Sequence, residues 1–190
     1  RIEAYTGVES FAYLARERDV VHQLTGLLKT QPDDLVGRVG DLVERLKAAE
    51  KEIERARVAQ LLAAAGQDAV VLTKPDSIAW LANIRGGDGP YTPFVLAFAV
   101  LDKDANLKIY TDRRKLSPAI EAALEPGISI LARDAFEAAL AKLGKDGAQV
   151  RADSAGTSEA ILAGLKDAGA KISTAEDPCA LPRPARTKPN

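Results

Sequence analysis

The residues able to carry chemistry are few. The chain has one histidine, His22, and one cysteine, Cys179. A lone histidine on a charged helix has no second ligand at H-x-x-x-H spacing, so no metal site is expected. A lone thiol forms no internal disulfide, and beside prolines Cys179 reads as inert. Ser77, Ser117 and Ser154 carry hydroxyls, but a serine nucleophile needs a base within hydrogen-bonding reach, and none lies near them in sequence. Ser77 and Ser117 fall in the first turns of expected helices, where serine helps capping, and Ser154 falls in a loop. All three are assigned to structure. The stretch with functional character is "NIRGGDGPYTP" (83–93). Gly86, Gly87 and Gly89 allow positive φ in a tight loop, and Arg85, Asp88 and Tyr91 are its polar groups. Two roles stand open: Arg85 and Asp88 pair to brace a turn stiffened by Pro90 and Pro93, or the polar groups face a binding site. The glycine spacing and the following strand do not fit a G-x-G-x-x-G phosphate loop. No catalytic residue and no metal ligand is assigned.

Composition narrows the classes further. The 190 residues fit one or two domains, and 46% apolar content suffices for a sizeable core. The formal net charge of −1 gives no global preference for nucleic acid or anionic membranes. No apolar run reaches the roughly 18 residues of a membrane span, and no signal peptide opens the chain. One cysteine fits a reducing compartment, so a cytoplasmic location is expected. The chain contains no methionine and starts at Arg1, which predicts a piece of something larger.

Two grammars position these residues. Phe11, Leu14, Val21, Leu24 and Leu28 mark one stripe of a helix from about Val8 to Lys29. "TQPDD" turns the chain, with Pro32 unable to continue a helix and Asp33 or Asp34 able to cap the next. Leu35, Val39, Leu42, Leu46, Ala49, Ile53 and Ala56 then alternate in steps of four and three, a heptad seam. The short connection predicts antiparallel neighbours. The second helix is expected to reach Ala65, some 30 residues or roughly 45 Å. After Gly66, strands and helices alternate: strands at 69–73, 94–101, 107–111, 128–131, 148–153 and 171–174, and helices at 75–83, 117–125, 134–143 and 157–169. That alternation implies an α/β layer fold with Trp80 in its core. "PCALPRPARTKPN" reads as a proline-rich linker.

"RIEAYTG" with "LVERLKAAEKEIER" resembles alanyl-tRNA synthetase, in the segment that leaves its editing domain and enters a helical hairpin. "SIAWLANIRG" with "PYTP" resembles the second creatinase-like N-terminal domain of a Xaa-Pro aminopeptidase, with Gly87 where that family often has serine. The resemblances imply three parts: a hairpin at 1–57, a non-catalytic α/β domain at 58–178, and a linker end at 179–190. The expected architecture is an antiparallel, coiled-coil-like hairpin joined by a continuous helix to a creatinase/aminopeptidase P N-terminal-type domain.

The peptidase family hydrolyses the bond before proline with two metal ions held by Asp, His and Glu residues of its catalytic domain. Resemblance places those ligands, and the dinuclear metal, outside this sequence, and no cofactor is expected within it. The synthetase editing domain needs histidine and zinc-ligand pairs that the sequence lacks. The expectation is therefore a non-catalytic fragment or a deliberate fusion of two parents. In the intact peptidase, Arg85, Asp88 and Tyr91 would face the substrate pocket. The alternatives are a natural hairpin interaction protein and a tRNA-linked module. Residues 1–66 carry 10 Lys and Arg against 11 Asp and Glu, which disfavours nucleic acid. The exposed seam predicts self-association, and no membrane partner is expected.

Overall fold

The structure is a computed structural model that describes residues 7–88, 94–115, 124 and 126–180. The expected extended piece before Gly7, the expected 117–125 helix with Ser117 except for Leu124, the loop residues Gly89, Pro90, Tyr91 and Pro93, and residues 181–190 of the linker lie outside the described residues. The chain divides into two compact units between Ala49 and Glu50.

In the first unit, helix α1 spans Val8–Leu28 and ends where Lys29 turns into the left-handed region at φ 49°. Pro32–Asp34 form a 3₁₀ turn, which takes in both expected capping aspartates and feeds helix α2, Leu35–Ala64, directly. No residue of α1 is buried. Leu28, Leu35 and Leu42 are half-buried, whereas Phe11, Leu14 and Leu46 are exposed. The apolar stripes are therefore covered chiefly near the turn.

Helix α2 is one helix through Ala64, as the run without Gly or Pro from Asp41 predicts. It stops at Gly66, whose φ of +66° lets Gly66 and Gln67 N–H return to the carbonyls of Ala63 and Leu62, at 3.0 and 2.8 Å. This is the double closure that left-handed glycine makes possible. The last turns of α2 change character. Val58 and Leu62 are buried, and so is Arg55. Heptad position alone places Arg55 on a solvated face, but its guanidinium donates to the carbonyl oxygens of Leu81 and Pro126, each at 3.4 Å.

The second unit is built on a six-stranded sheet, ordered β4-β3-β2-β1-β5-β6. The strands are β1 Ala69–Leu72, β2 Phe98–Asp102, β3 Leu107–Thr111, β4 Ile128–Ala132, β5 Gln149–Ala152 and β6 Lys171–Thr174. Strand β2 runs antiparallel to β1 and β3, and every other pairing is parallel. Helices cover both faces, as they must when both faces are apolar. On one face, α2 and α3 (Pro75–Ala82) pack Val58, Leu62, Ile78 and Leu81 against Val70, Leu72, Leu101 and Ile109. On the other, α4 (Ala135–Lys145) and α5 (Glu159–Asp167) pack Phe136, Leu140 and Leu165 against Val71, Val150 and Tyr110. Phe136 stacks on Phe98 with ring centroids 4.6 Å apart.

Strand β2 begins at Phe98, four residues later than its composition predicts. The Leu96 N–H donates to Asp88 Oδ2 at 2.7 Å, and the Leu96 carbonyl accepts from Thr111 Oγ1 at 3.1 Å. With both backbone groups of Leu96 engaged by side chains, residues 94–97 leave the ladder.

Candidate functional site

Because only β2 is reversed, the carboxyl ends of the other five strands share one edge of the sheet. In open α/β sheets, ligands sit beyond that edge, where the strand order reverses. Here the order reverses between β1 and β5. The residues that follow those strands, Lys74 and Asp153, close the gap with an ion pair. Beside it, Thr73 Oγ1 donates to the Gly156 carbonyl at 2.8 Å. Ser77 Oγ donates to the buried Asp177 at 2.7 Å, and the Cys179 N–H donates to the same carboxylate at 2.8 Å. The bond to Asp153 raises the Lys74 ammonium above its usual value, and the Lys74 bond holds Asp153 below its own. Burial, then the Asp177 charge, pushes the Cys179 thiol up to about 12. The crevice of the fold is thus filled by the protein's own side chains.

Open space remains elsewhere on the same edge, in an exposed depression beside Thr73, Leu96 and Arg133 and in a more enclosed cavity further along. A cavity of about 220 Å³ is walled by Ile84, Val95, Ile109 and Ile130, with Arg85, Asp88, Thr111 and Lys115 as its polar members. Asp88 sits at the centre of the polar part. It accepts from Lys115 Nζ at 2.8 Å as well as from the Leu96 N–H, and these donors, Lys115 first, hold its carboxyl below the usual range. Outside the cavity, Arg114 holds the Asp112 carboxyl down at about 2. Arg85 is exposed and borders both this cavity and a shallower groove lined by Lys51, Trp80 and Phe94. Trp80 is half-buried at the margin of the core it packs against, with the Lys51 ammonium 4.1 Å from its ring centroid.

The loop is braced differently from the pairing that its sequence suggests. Asp88 pairs with Lys115, 27 positions away, and not with Arg85. Neither Gly86 nor Gly87 has positive φ. Gly86 is needed for proximity instead: a Cβ there would lie 2.4 Å from Val95 Cγ2 and 2.9 Å from the Phe94 carbonyl oxygen. Arg85 and Asp88 both line the cavity, and Tyr91 lies outside the described residues. Ser77 is no cap, since its hydroxyl is spent on Asp177. Ser154 occupies an exposed turn, and His22 an exposed position on α1. Sequence reasoning missed Lys74, Asp153, Asp177 and Lys115. A charged residue within two positions of the end of each of two parallel strands, Lys74 and Asp153, was the available signal. Among the described residues, no three His, Cys, Asp or Glu side chains gather as metal donors. Among them too, no helix is long and apolar enough to cross a membrane.

Residues 41–188 match the creatinase/prolidase N-terminal domain. The chain belongs to that family. Two solved structures share the fold of this creatinase/prolidase-type chain. The X-prolyl aminopeptidase of Caenorhabditis elegans, described as a cytosolic enzyme with a dinuclear active site, superposes with a TM-score of 0.58 at 21% identity, over 66% of this chain and 21% of that one. The N-terminal domain of the cytoplasmic peptidase PepQ from Mycobacterium tuberculosis H37Rv gives 0.52 at 17% identity, over 67% and 95%. The curated relatives are of another kind. The alanine–tRNA ligase of Nocardioides sp. (strain ATCC BAA-499 / JS614) is 48% identical over 89 residues, 47% of this chain and 10% of the ligase. That of Corynebacterium glutamicum (strain R) is 35% identical over 182 residues, 88% of this chain and 20% of the ligase. The chain thus spans a fifth or less of these ligases. The creatinase/prolidase match and the longer ligase match necessarily share residues.

Proposed function

We propose that the chain is a non-catalytic unit. In this reading its creatinase/prolidase-type domain supplies one wall of a peptide site, while the bond-breaking groups belong to another domain of a metal-dependent peptidase acting before proline. The observation that carries this is the cavity at the sheet edge. Its volume of about 220 Å³ is below the roughly 300–1,000 Å³ of complete small-molecule sites, as suits one wall of a shared pocket. Four aliphatic side chains fit an apolar residue or a proline ring, and Arg85 with the Lys115–Asp88 pair offers polar groups at its margin. The ligase-like helical segment, taken as residues 1–57, is a second parent's contribution in a fusion that continues through α2. The buried, unpaired thiol of Cys179 suits a reducing compartment such as the cytoplasm.

Two measurements test this. The purified chain with added Mn²⁺ or Zn²⁺ is expected to leave Xaa-Pro peptides intact, and turnover abolished by a chelator overturns the reading. In methyl-labelled protein, an Xaa-Pro dipeptide at high concentration is expected to shift the resonances of Ile84, Ile109 and Ile130. Shifts confined to other methyls remove the cavity from the account.

The ligase likeness, which extends over 88% of the chain, supports a second reading as a tRNA-linked helical module. Binding of tRNA that weakens steeply with salt would favour it, because phosphate contacts release counterions.

A further inference from the structure

We propose a second binding site, for a small zwitterion of the amino-acid class, at the sheet edge opposite the cavity. Strands β1 and β3 begin at that edge and β2 ends there. Between them and the last turn of α4 lies a hollow of about 190 Å³. Its floor is apolar, with Ala69 and Val100 from the strands and Leu143 from the helix. The charged groups around it are Asp68, Asp102, Asp146, Lys108 and Lys142, and Tyr110 joins them.

These groups divide in two. Two carboxylates are already engaged and hold the hollow in shape. Asp68 accepts from Lys103 Nζ at 2.9 Å and from the Gln149 N–H at 3.0 Å. Asp102 Oδ1 accepts from the N–H groups of Asp104 and Asn106, at 3.0 and 2.9 Å, and so closes the β2–β3 turn. The others have spare capacity. Lys108, Lys142 and Asp146 make no side-chain hydrogen bond or ion pair among the described residues. Lys142 and Asp146 lie one turn apart at the end of α4, a spacing at which opposite charges can pair, yet they do not.

Tyr110 makes the hollow more than a charged surface. It is 2% exposed, and its ring packs on Phe136 with centroids 5.3 Å apart. It stands on the same face of β3 as Lys108 and lines the hollow. Its hydroxyl has no hydrogen-bond partner among the described residues. A tyrosine buried to this degree ordinarily finds one, and leaving the group unmatched costs free energy. Burial pushes the phenol above its ordinary 10.0, so at neutral pH it stands as a donor. An acceptor bound in the hollow completes it.

The free groups define the occupant. The Lys108 and Lys142 ammoniums and the Tyr110 hydroxyl are donors, which suits a carboxylate. Asp146 is an acceptor without a donor, which suits an ammonium. Lys103, Lys108 and Lys142 balance the three aspartates, so no net charge draws in a simple anion or cation. A ligand that carries both charges and no net charge satisfies every free group.

Titration of the isotope-labelled full chain with glycine, read from backbone amide shifts, is the test, with acetate and methylammonium as the separated halves of the ligand. Glycine is expected to shift the amides of Ala69, Val100, Tyr110 and Leu143, with a dissociation constant about tenfold below that of either half. Tyr110→Phe is expected to weaken glycine binding by about tenfold. Its melting temperature is expected to stay at or above that of the wild type, because the lost hydroxyl made no bond within the chain. Asp146→Asn is expected to weaken glycine and leave acetate unchanged. Acetate that binds as tightly as glycine, or an absence of shifts at these amides at the highest glycine concentration, overturns the proposal. So does a Tyr110→Phe variant that binds like the wild type or melts below it.

Discussion

Replacing Gly86 by alanine tests whether the cavity wall depends on a missing side chain. The new Cβ would sit 2.4 Å from Val95 Cγ2, and 2.9 and 3.1 Å from the carbonyl oxygen and carbon of Phe94. Rotating Val95 relieves only the first contact. The other two are backbone, and the Phe94 peptide leads into Leu96, which Asp88 and Thr111 hold from both sides. The clash must therefore be met by moving the 84–88 loop or by releasing those two bonds. Overpacking of this kind costs about 1–3 kcal/mol. In a chain of this size that lowers the melting temperature by about 2–12 °C. Gly87 is the internal control: it has ordinary φ and nothing within 4 Å of a built Cβ, so Gly87→Ala should stay within about 0.5 kcal/mol of wild type. Urea unfolding followed by circular dichroism and by Trp80 fluorescence gives both values. Trp80 borders the same loop through Ile84 and Arg85, so its emission should also change in Gly86→Ala before unfolding. Equal stabilities for the two alanine variants would refute close approach as the role of Gly86.

Other outcomes follow from the filled crevice. Lys74→Met should cost about 1 kcal/mol at neutral pH, since the ammonium is partly exposed and its ion pair is correspondingly screened. The pH dependence has a definite sign. Asp153 is held below its ordinary 3.8, so its contribution is present above that value and is lost as pH falls further. Lys74 is raised above its ordinary 10.5, so its contribution is complete below that value and is lost on moving to higher pH. Stability profiles of wild type and Lys74→Met should therefore draw together only as pH falls below 3.8 or rises above 10.5, and parallel curves throughout would exclude the pair as their cause. Cys179, buried and with its thiol pushed up to about 12, should not react with a disulfide reagent at pH 8 until urea unfolds the domain. Prompt labelling of the native chain would place that thiol at the surface.

The order of strands and helices was legible because each apolar run is short, β-branched and closed by a breaker: "AVVL" before Lys74-Pro75, "ISIL" before Asp134. The start of β2 was not. "FVLA" has the composition of a strand, and what removes residues 94–97 from the ladder is a carboxylate and a hydroxyl, Asp88 and Thr111, that reach Leu96 from other segments. The site residues divide along the same line. Arg85 and Asp88, which line the cavity, stand out in the sequence because they share a glycine-rich loop, a local signal. Lys74 and Asp153 lie 79 positions apart, and only the parallel pairing of β1 with β5 makes them neighbours. Arg55 was hidden for the opposite reason. Its sequence neighbours repeat the charged rhythm of the seam, while its surroundings are set by Leu81 and Pro126. Gly86 shows that a correct residue can carry a wrong reason, since glycine serves crowded approach as well as unusual torsion.

The lone reversed strand has an effect beyond the pattern of pairing. Because β2 points against its neighbours, its entrance, not its exit, reaches the sheet edge where the cavity lies. One wall of the cavity, at Val95, belongs to the segment that leads into β2, so its position depends on where the ladder begins. One more rung on β2 would narrow the cavity, and one fewer would widen it. Gauge could thus be adjusted through the side chains that postpone the first rung, leaving the lining itself unaltered.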